Sequence, residues 1–252
     1  MSLTESQFLR YSRHLLMADV GELGQQRLIN AHVLVVGLGG LGCPVSLYLA
    51  AAGVGQLTLC DADVVDITNL QRQILYRPED CDELKVNCAK SRLQELNSEV
   101  EINTYPHTVD STILNSTYNL IVDCTDNIAA RQLLNAHCRQ QKIPFISAAA
   151  IGWEGQLVSF DFSHNRSPCL MCIFDKNSAD PLFTCANSGV VGPVLGAMGS
   201  LQATTAIRML LGLFKQHGEM QRYDGKSGHW LTLKAQANQD CDLCNLQNVQ
   251  QE

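Results

Sequence analysis

The stretch His32-Val33-Leu34-Val35-Val36-Gly37-Leu38-Gly39-Gly40-Leu41-Gly42 decides the fold. Its first five residues are an almost continuous apolar run, mostly β-branched, the pattern of a strand buried on both faces of a parallel sheet. Glycines then follow at the G-x-G-x-x-G spacing. Gly37 permits the tight turn, Gly39 lets backbone approach a phosphate, and Gly42 lets the following helix sit close to the sheet. A helix that starts there points free N–H groups outward and attracts anions. Gly55-Gln56-Leu57-Thr58-Leu59-Cys60-Asp61 supplies a second strand, with an acid at its carboxyl end that can accept both hydrogen bonds of a ribose diol. Strand, glycine turn, helix, strand and acid read together as a Rossmann-like nucleotide site. Which nucleotide it takes stays open at this point.

The whole chain bounds that reading. Its 252 residues, 46% hydrophobic and 17% charged, suffice for one substantial core with a small annex. The expected organisation is one domain over 1–252: an N-terminal helical segment to residue 30, a nucleotide-binding half at 31–150, and an extension at 151–252. A net charge of −7 argues against general nucleic-acid or membrane-surface binding, because no basic field attracts polyanions. The N-terminus, Met1-Ser2-Leu3-Thr4-Glu5, has no basic region followed by an apolar one, so no secretory signal is read there. Val190 to Phe214 is interrupted by Pro193, Gln202 and Arg208, as in a buried helix and not a membrane span. These features imply a cytoplasmic protein. Its 11 cysteines are then expected to be reduced, and paired spacings among them point to metal or catalysis before disulfides.

Taken in order, Thr4-x-x-Gln7 has the form of a capping box, and Phe8, Tyr11, Leu15 and Leu16 recur behind it at helical spacing. Arg10 and Arg13 share one face of that opening helix, which by pattern alone is a solvated face. After Asp61, Asn69, Arg72 and Gln73 of the segment Asn69-Leu70-Gln71-Arg72-Gln73 place a fixed cation and two amides at the strand ends, where open α/β sheets bind ligands. Lys85 begins a helix running to about Leu96, with Cys88, Ala89, Leu93 and Leu96 on its inner stripe, and its ammonium could meet a phosphate as a point charge. Leu120-Ile121-Val122-Asp123 is another buried strand, followed by Cys124-Thr125-Asp126-Asn127. Asp126 either caps the next helix or holds Mg²⁺, since a hard cation bridging phosphates takes one or two carboxylates. Pro144 to Ala148 gives a further strand.

From Gly152 the pattern becomes alternating, in Gly155 to Phe162, Gln221 to Tyr223 and His229 to Leu233. Antiparallel strands therefore extend the sheet. Two Cys-x-x-Cys units, Cys169-Leu170-Met171-Cys172 and Cys241-Asp242-Leu243-Cys244, can each bring two thiolates to one tetrahedral Zn²⁺. Neither lies in a Rossmann-like active-site turn, where a redox pair belongs. A structural zinc on all four would tie the C-terminal segment back onto the domain.

With these residues together, the chain resembles the MoeB/ThiF family, prokaryotic relatives of the ubiquitin-activating enzymes. The resemblance covers nearly the whole length: Arg10-Tyr11-x-Arg13, the glycine loop, Asn69 to Gln73, Lys85, Asp123 to Asn127, both cysteine pairs, and Cys185 ahead of Gly189-Val190-Val191-Gly192-Pro193. Gly189 to Pro193 and Asp224-Gly225-Lys226-Ser227 look closer to the ThiF branch than to the MoeB branch. The resemblance implies a mostly parallel α/β sheet carrying an ATP-dependent adenylyltransferase. Its substrate would be the C-terminal Gly-Gly carboxylate of a small ubiquitin-like sulfur carrier protein, in thiamin-thiazole or molybdopterin sulfur transfer. It implies nucleotide binding by Gly37, Gly39, Gly40, Gly42, Asp61, Asn69, Arg72, Gln73, Lys85 and Asp126, with Mg²⁺ on Asp126. It further implies that Arg13 arrives from the partner of a homodimer, and that Cys185 can link to the carrier through a thioester or an acyl disulfide. The residue chemistry agrees, because bringing a carboxylate to an α-phosphate joins anion to anion and demands local cations. A nicotinamide-dependent oxidoreductase would explain the glycine loop and Asp61 but leave Asn69, Arg72, Lys85 and Asp126 without a shared purpose. A non-catalytic activating-enzyme subunit would be expected to lose those residues. Activation of a tRNA carboxylate fits the acidic charge poorly.

Overall fold

The computed structural model describes residues 2–163, 167–174, 189–215 and 218–245. Its strands are β1 (His32–Val36), β2 (Gln56–Cys60), β3 (Glu101–Tyr105), β4 (Leu120–Asp123), β5 (Phe145–Ile151), β6 (Glu154–Phe160), β7 (Glu219–Asp224) and β8 (His229–Lys234). Its helices are α1 (Glu5–Arg10), α2 (Ser12–Leu15), α3 (Gly21–Ile29), α4 (Gly42–Ala51), α5 (Lys85–Leu96), α6 (Ser111–Leu114), α7 (Ile128–Gln141), α8 (Leu170–Ile173), α9 (Gly192–Leu210) and α10 (Asp242–Asn245). The strands form one sheet in the order β3-β2-β1-β4-β5-β6-β7-β8. Neighbours from β3 to β5 pair parallel, and β6, β7 and β8 continue antiparallel, as the alternating C-terminal segments imply.

Period-two alternation sorts the strand residues between two cores. Val33, Val35, Leu57 and Leu59 pack with Leu49 of α4, Leu93 of α5 and Met198 of α9. Leu34, Val36, Ile121, Phe145 and Phe160 face the other way, against Leu134 and Cys138 of α7. On the first side, α4 and α9 approach closely: a Cβ on Gly199 would lie 2.4 Å from Pro44 Cγ and 2.6 Å from the Leu41 carbonyl. Gly199 therefore lets α9 pack closely on α4 in the core.

Three local readings are corrected. The opening helix is two short ones, broken at Tyr11, although the capping box of Thr4 and Gln7 forms. Tyr11 leaves the helix because its ring is buried over Gly53 and its hydroxyl meets Asn97 Nδ2 at 2.9 Å. Leu16, expected on the buried stripe, is 79% exposed. In α5, Ala89 and Leu93 are buried but Leu96 is 40% exposed, because it ends the helix where the chain turns towards β3.

Candidate functional site

Register sets the site. Val36 pairs with Cys60 on one side and Asp123 on the other, so β1, β2 and β4 end level and release Gly37, Asp61 and Cys124 together. This is the switch point of the sheet, where connections leave β1 in opposite directions and open a crevice. A cleft of about 740 Å³ lies there, and its walls include Gly37, Gly39, Gly40, Asp61, Asn69, Arg72, Gln73, Lys85 and Asp126.

The glycine loop is held from several sides through Leu38. Its N–H donates to Asp61 Oδ2 at 2.6 Å, and its carbonyl accepts from the Tyr76 hydroxyl at 2.9 Å and the Cys43 thiol at 3.4 Å. Gly37 has φ +90°, and a Cβ there would lie 2.7 Å from the Cys124 carbonyl. A Cβ on Gly42 would stand 1.9 Å from the Gly37 carbonyl, so this glycine packs the start of α4 against the loop and does not line the cleft. Among the described residues, no hydrogen bond uses the N–H of Gly39 or Gly40. Both are left for an anion.

Asp61 thus serves the loop as well as any ligand. Its second oxygen accepts from the Asp63 N–H at 2.8 Å, and each carboxylate oxygen keeps a further lone pair for a hydroxyl. Burial raises its pKa above the ordinary carboxylate value, and the nearby Lys85 charge opposes that rise. Lys85 is buried and pairs with Asp63 Oδ2 at 2.8 Å. A 3₁₀ turn, Ile67–Asn69, capped by Asp66, starts the polar segment. Arg72 Nη1 donates to the Thr68 carbonyl at 3.1 Å, which fixes its stem near the cleft wall. Gln73 is buried beside Gly39, and its Oε1 has no hydrogen-bond partner. A buried, unsatisfied amide oxygen in a cleft wall is a group that needs a ligand or water donor.

Asp126 does not cap α7. Asn127 does, its side chain accepting from the Ala130 N–H at 3.2 Å. The Asp126 carboxylate is exposed in the cleft, and no hydrogen bond or ion pair among the described residues engages it. Its turn is anchored by a buried pair that sequence reading passed over. Arg131 Nε donates to Asp123 Oδ2 at 2.8 Å, while its Nη2 reaches the carbonyls of Thr125 and Ala148 at 2.6 and 3.0 Å. Ser147 and Thr125 hydroxyls complete the Asp123 carboxylate at 2.5 and 2.7 Å. From α9, Gln202 Nε2 donates to the Asp123 carbonyl at 2.8 Å. Tyr76, Arg131, Gln202 and the wall residues His107 to Val109 carried no motif. A cation eight residues after a strand-end Asp was the one available signal.

Of the expected residues, Arg13 joins Gly42 in not lining this cleft. Arg13 is exposed on α2, and Cys185 lies outside the described residues.

The four paired cysteines do converge. The Sγ atoms of Cys169, Cys172, Cys241 and Cys244 all lie within 4.8 Å of one another, with contacts of 3.9, 3.6 and 3.5 Å for 169–172, 169–241 and 172–244. A tetrahedron with metal–sulfur bonds of ~2.3 Å has edges of ~3.8 Å, so the cluster fits one metal ion. Each pair is a tight turn closed by a backbone bond, Cys172 N to Cys169 O and Cys244 N to Cys241 O. Hydrogen bonds from Cys169 and Cys244 hold the Cys172 thiol far below its ordinary pKa, while the bonds to Cys172 and Cys244 push the Cys169 thiol up. All ten described cysteines are free of disulfides.

The family model that matches, ThiF family, spans residues 11–244. The chain belongs to the ThiF family. The sulfur carrier protein ThiS adenylyltransferase of Escherichia coli K12 is 40% identical over 250 residues, covering 98% of this chain and 99% of the relative. The molybdopterin-synthase adenylyltransferase of the same strain is 39% identical over 249 residues, covering 96% and 98%. Among solved structures, that of Escherichia coli MccB matches with a TM-score of 0.82 at 22% identity, covering 96% of this chain and 74% of that one. That likeness concerns the fold. The ThiF family match contains every cleft residue named above and the four converging cysteines.

Proposed function

We propose that this chain uses ATP to adenylate the C-terminal Gly-Gly carboxylate of a small ubiquitin-like sulfur carrier protein. The observation that carries this reading is the gathering of Lys85, Arg72, the free Gly39 and Gly40 amides and the uncommitted Asp126 carboxylate around one cleft. A dinucleotide oxidoreductase needs the loop and Asp61 but has no use for that charge set. The names of the two relatives, a sulfur carrier protein ThiS adenylyltransferase and a molybdopterin-synthase adenylyltransferase, support the same chemistry.

The reaction joins two anions. Asp61 would hold the ribose, and the Gly39 and Gly40 amides with Lys85 and Arg72 would neutralise the triphosphate. The carrier carboxylate oxygen then attacks the α-phosphorus in line, the bond to the β,γ-phosphates breaks, and acyl adenylate and pyrophosphate form. Gln73, whose Oε1 has no hydrogen-bond partner, would accept from a ligand donor in the cleft. Asp126 would hold Mg²⁺, which when bound offsets phosphate charge and steadies the departing pyrophosphate. Zinc on the four cysteines would be structural, since that cluster lies with the Phe145–Phe160 core and not on the cleft wall.

Arg13 enters this scheme from a second subunit. It does not line its own cleft, and Leu9, Leu16, Met17 and Leu23 of the same N-terminal helical segment are exposed apolar side chains suited to a homodimer contact. Cytoplasmic location fits the free cysteines; no helix among the described residues is long and apolar enough to cross a membrane.

Pyrophosphate exchange tests the function. Labelled pyrophosphate should enter ATP only when a carrier ending in Gly-Gly is present, and Asp126→Ala should lower the rate at least ~100-fold, because phosphate charge is then uncompensated. Carrier-independent exchange, or none with any thiamin or molybdopterin carrier, refutes the assignment. The carrier that supports exchange also decides between the two pathways.

A further inference from the structure

Lys85 and Asp63 form an unequal pair. The lysine side chain is 5% exposed and the aspartate side chain 72%, with Nζ 2.8 Å from Oδ2. Their backbones are joined independently: Lys85 N–H donates to the Asp63 carbonyl at 3.0 Å, beside an antiparallel bridge between Val64 and Leu84. The Asp63 carboxylate is therefore not needed to place the start of α5. Both residues line the cleft, along with Asp61, Gly39 and Gly40.

The asymmetry decides what happens when a polyphosphate arrives. A buried ammonium without a counter-ion is costly, whereas an exposed carboxylate released from its partner regains water at little cost. An ammonium on a flexible stem can turn from one anion to another without moving the helix. We propose that Asp63 is a displaceable counter-ion: it neutralises Lys85 while the cleft holds no phosphate, and yields it when the triphosphate enters. When pyrophosphate leaves, Asp63 takes the lysine back, which lowers the affinity for that product. Asp63 is thus a positioning residue acting through Lys85, and its role rests on the reading of the cleft as an ATP site.

The test is the sign of one substitution. Asp63→Asn removes the competing charge at constant size, so calorimetry without any carrier should show a non-hydrolysable ATP analogue and inorganic pyrophosphate each binding roughly three- to tenfold tighter. The ligand-free variant should melt lower than wild type, and saturating analogue should close that gap. In a Lys85→Met background, Asp63→Asn should change neither affinity. Weaker binding in Asp63→Asn overturns the proposal and makes Asp63 a holder of Lys85. Weakening confined to solutions containing Mg²⁺ also overturns it, because Asp63 would then be a metal ligand. If wild type binds no ATP analogue, the nucleotide reading fails instead, and this proposal with it.

Discussion

Arg131→Met should cost about 3–5 kcal/mol of folding stability, the penalty for leaving a buried carboxylate without its partner. The figure follows from burial. The side chains of Arg131 and Asp123 are 3% and 0% exposed, and Nε lies 2.8 Å from Oδ2. The substitution strips the carboxylate of its counter-charge and leaves it only the Ser147 and Thr125 donors. It also removes donors from the Thr125 and Ala148 carbonyls, so β5 and the 123–127 turn lose a common tie. For a chain of this size, each kcal/mol moves the melting temperature by roughly 2–4 °C, giving a fall of roughly 6–20 °C. Thermal and urea unfolding should be followed by circular dichroism without nucleotide, for wild type, Arg131→Met, Asp123→Asn and the double variant. With the charge already gone in Asp123→Asn, Arg131→Met should cost at least ~1.5 kcal/mol less than in wild type. Because the turn presents Asp126, carrier-dependent exchange should also fall at temperatures where the variant is folded. A cost below ~1 kcal/mol, the range of a solvent-exposed pair, would refute the reasoning, as would equal costs in both backgrounds.

Purified protein should contain one Zn²⁺ per chain by elemental analysis, and chelation should expose the 235–245 segment to proteolysis; fully stable metal-free protein would rule this out. Cys185→Ser should retain pyrophosphate exchange but form no reducible covalent complex with thiolated carrier, since acyl adenylate formation needs no enzyme thiol. An unchanged complex on non-reducing gels removes the covalent role. Arg13→Ala and Arg72→Ala homodimers should each be impaired, while mixing and reassociating them should restore about a quarter of wild-type exchange per site, because half the dimers are mixed and each carries one intact site. No recovery would place Arg13 in its own subunit's site or outside catalysis.

Local patterns were enough for much of this protein. The β-branched run at His32 to Val36 and the glycine spacing fixed β1, its turn and α4, because a buried parallel strand and a positive-φ turn admit few other residues. The start of α5 at Lys85 and the antiparallel extension were legible for the same reason, since each depends on periodicity within a short segment; each cysteine pair was legible from its own spacing, and shared metal chemistry implied that the pairs meet although 72 residues separate them. The sequence also placed Asp61, Asn69, Arg72 and Gln73 at the strand ends and Lys85 and Asp126 at helix starts, and topology then gathered them into one cleft.

What it left open depends on contacts between distant segments. Two capping residues stand side by side at Asp126 and Asn127, and only the packed turn shows that Asn127 takes the cap and frees Asp126. Tyr11 breaks its helix because Asn97, 86 residues away, binds its hydroxyl. Tyr76 and Arg131 look like ordinary core and helix residues until tertiary packing brings one to Leu38 and the other to Asp123. Likewise, nothing in the spacing of Asp63 and Lys85 reveals that one is hydrated and the other buried. Burial is a property of the assembled sheet and its helices, and it is burial that decides which of two charges can let go.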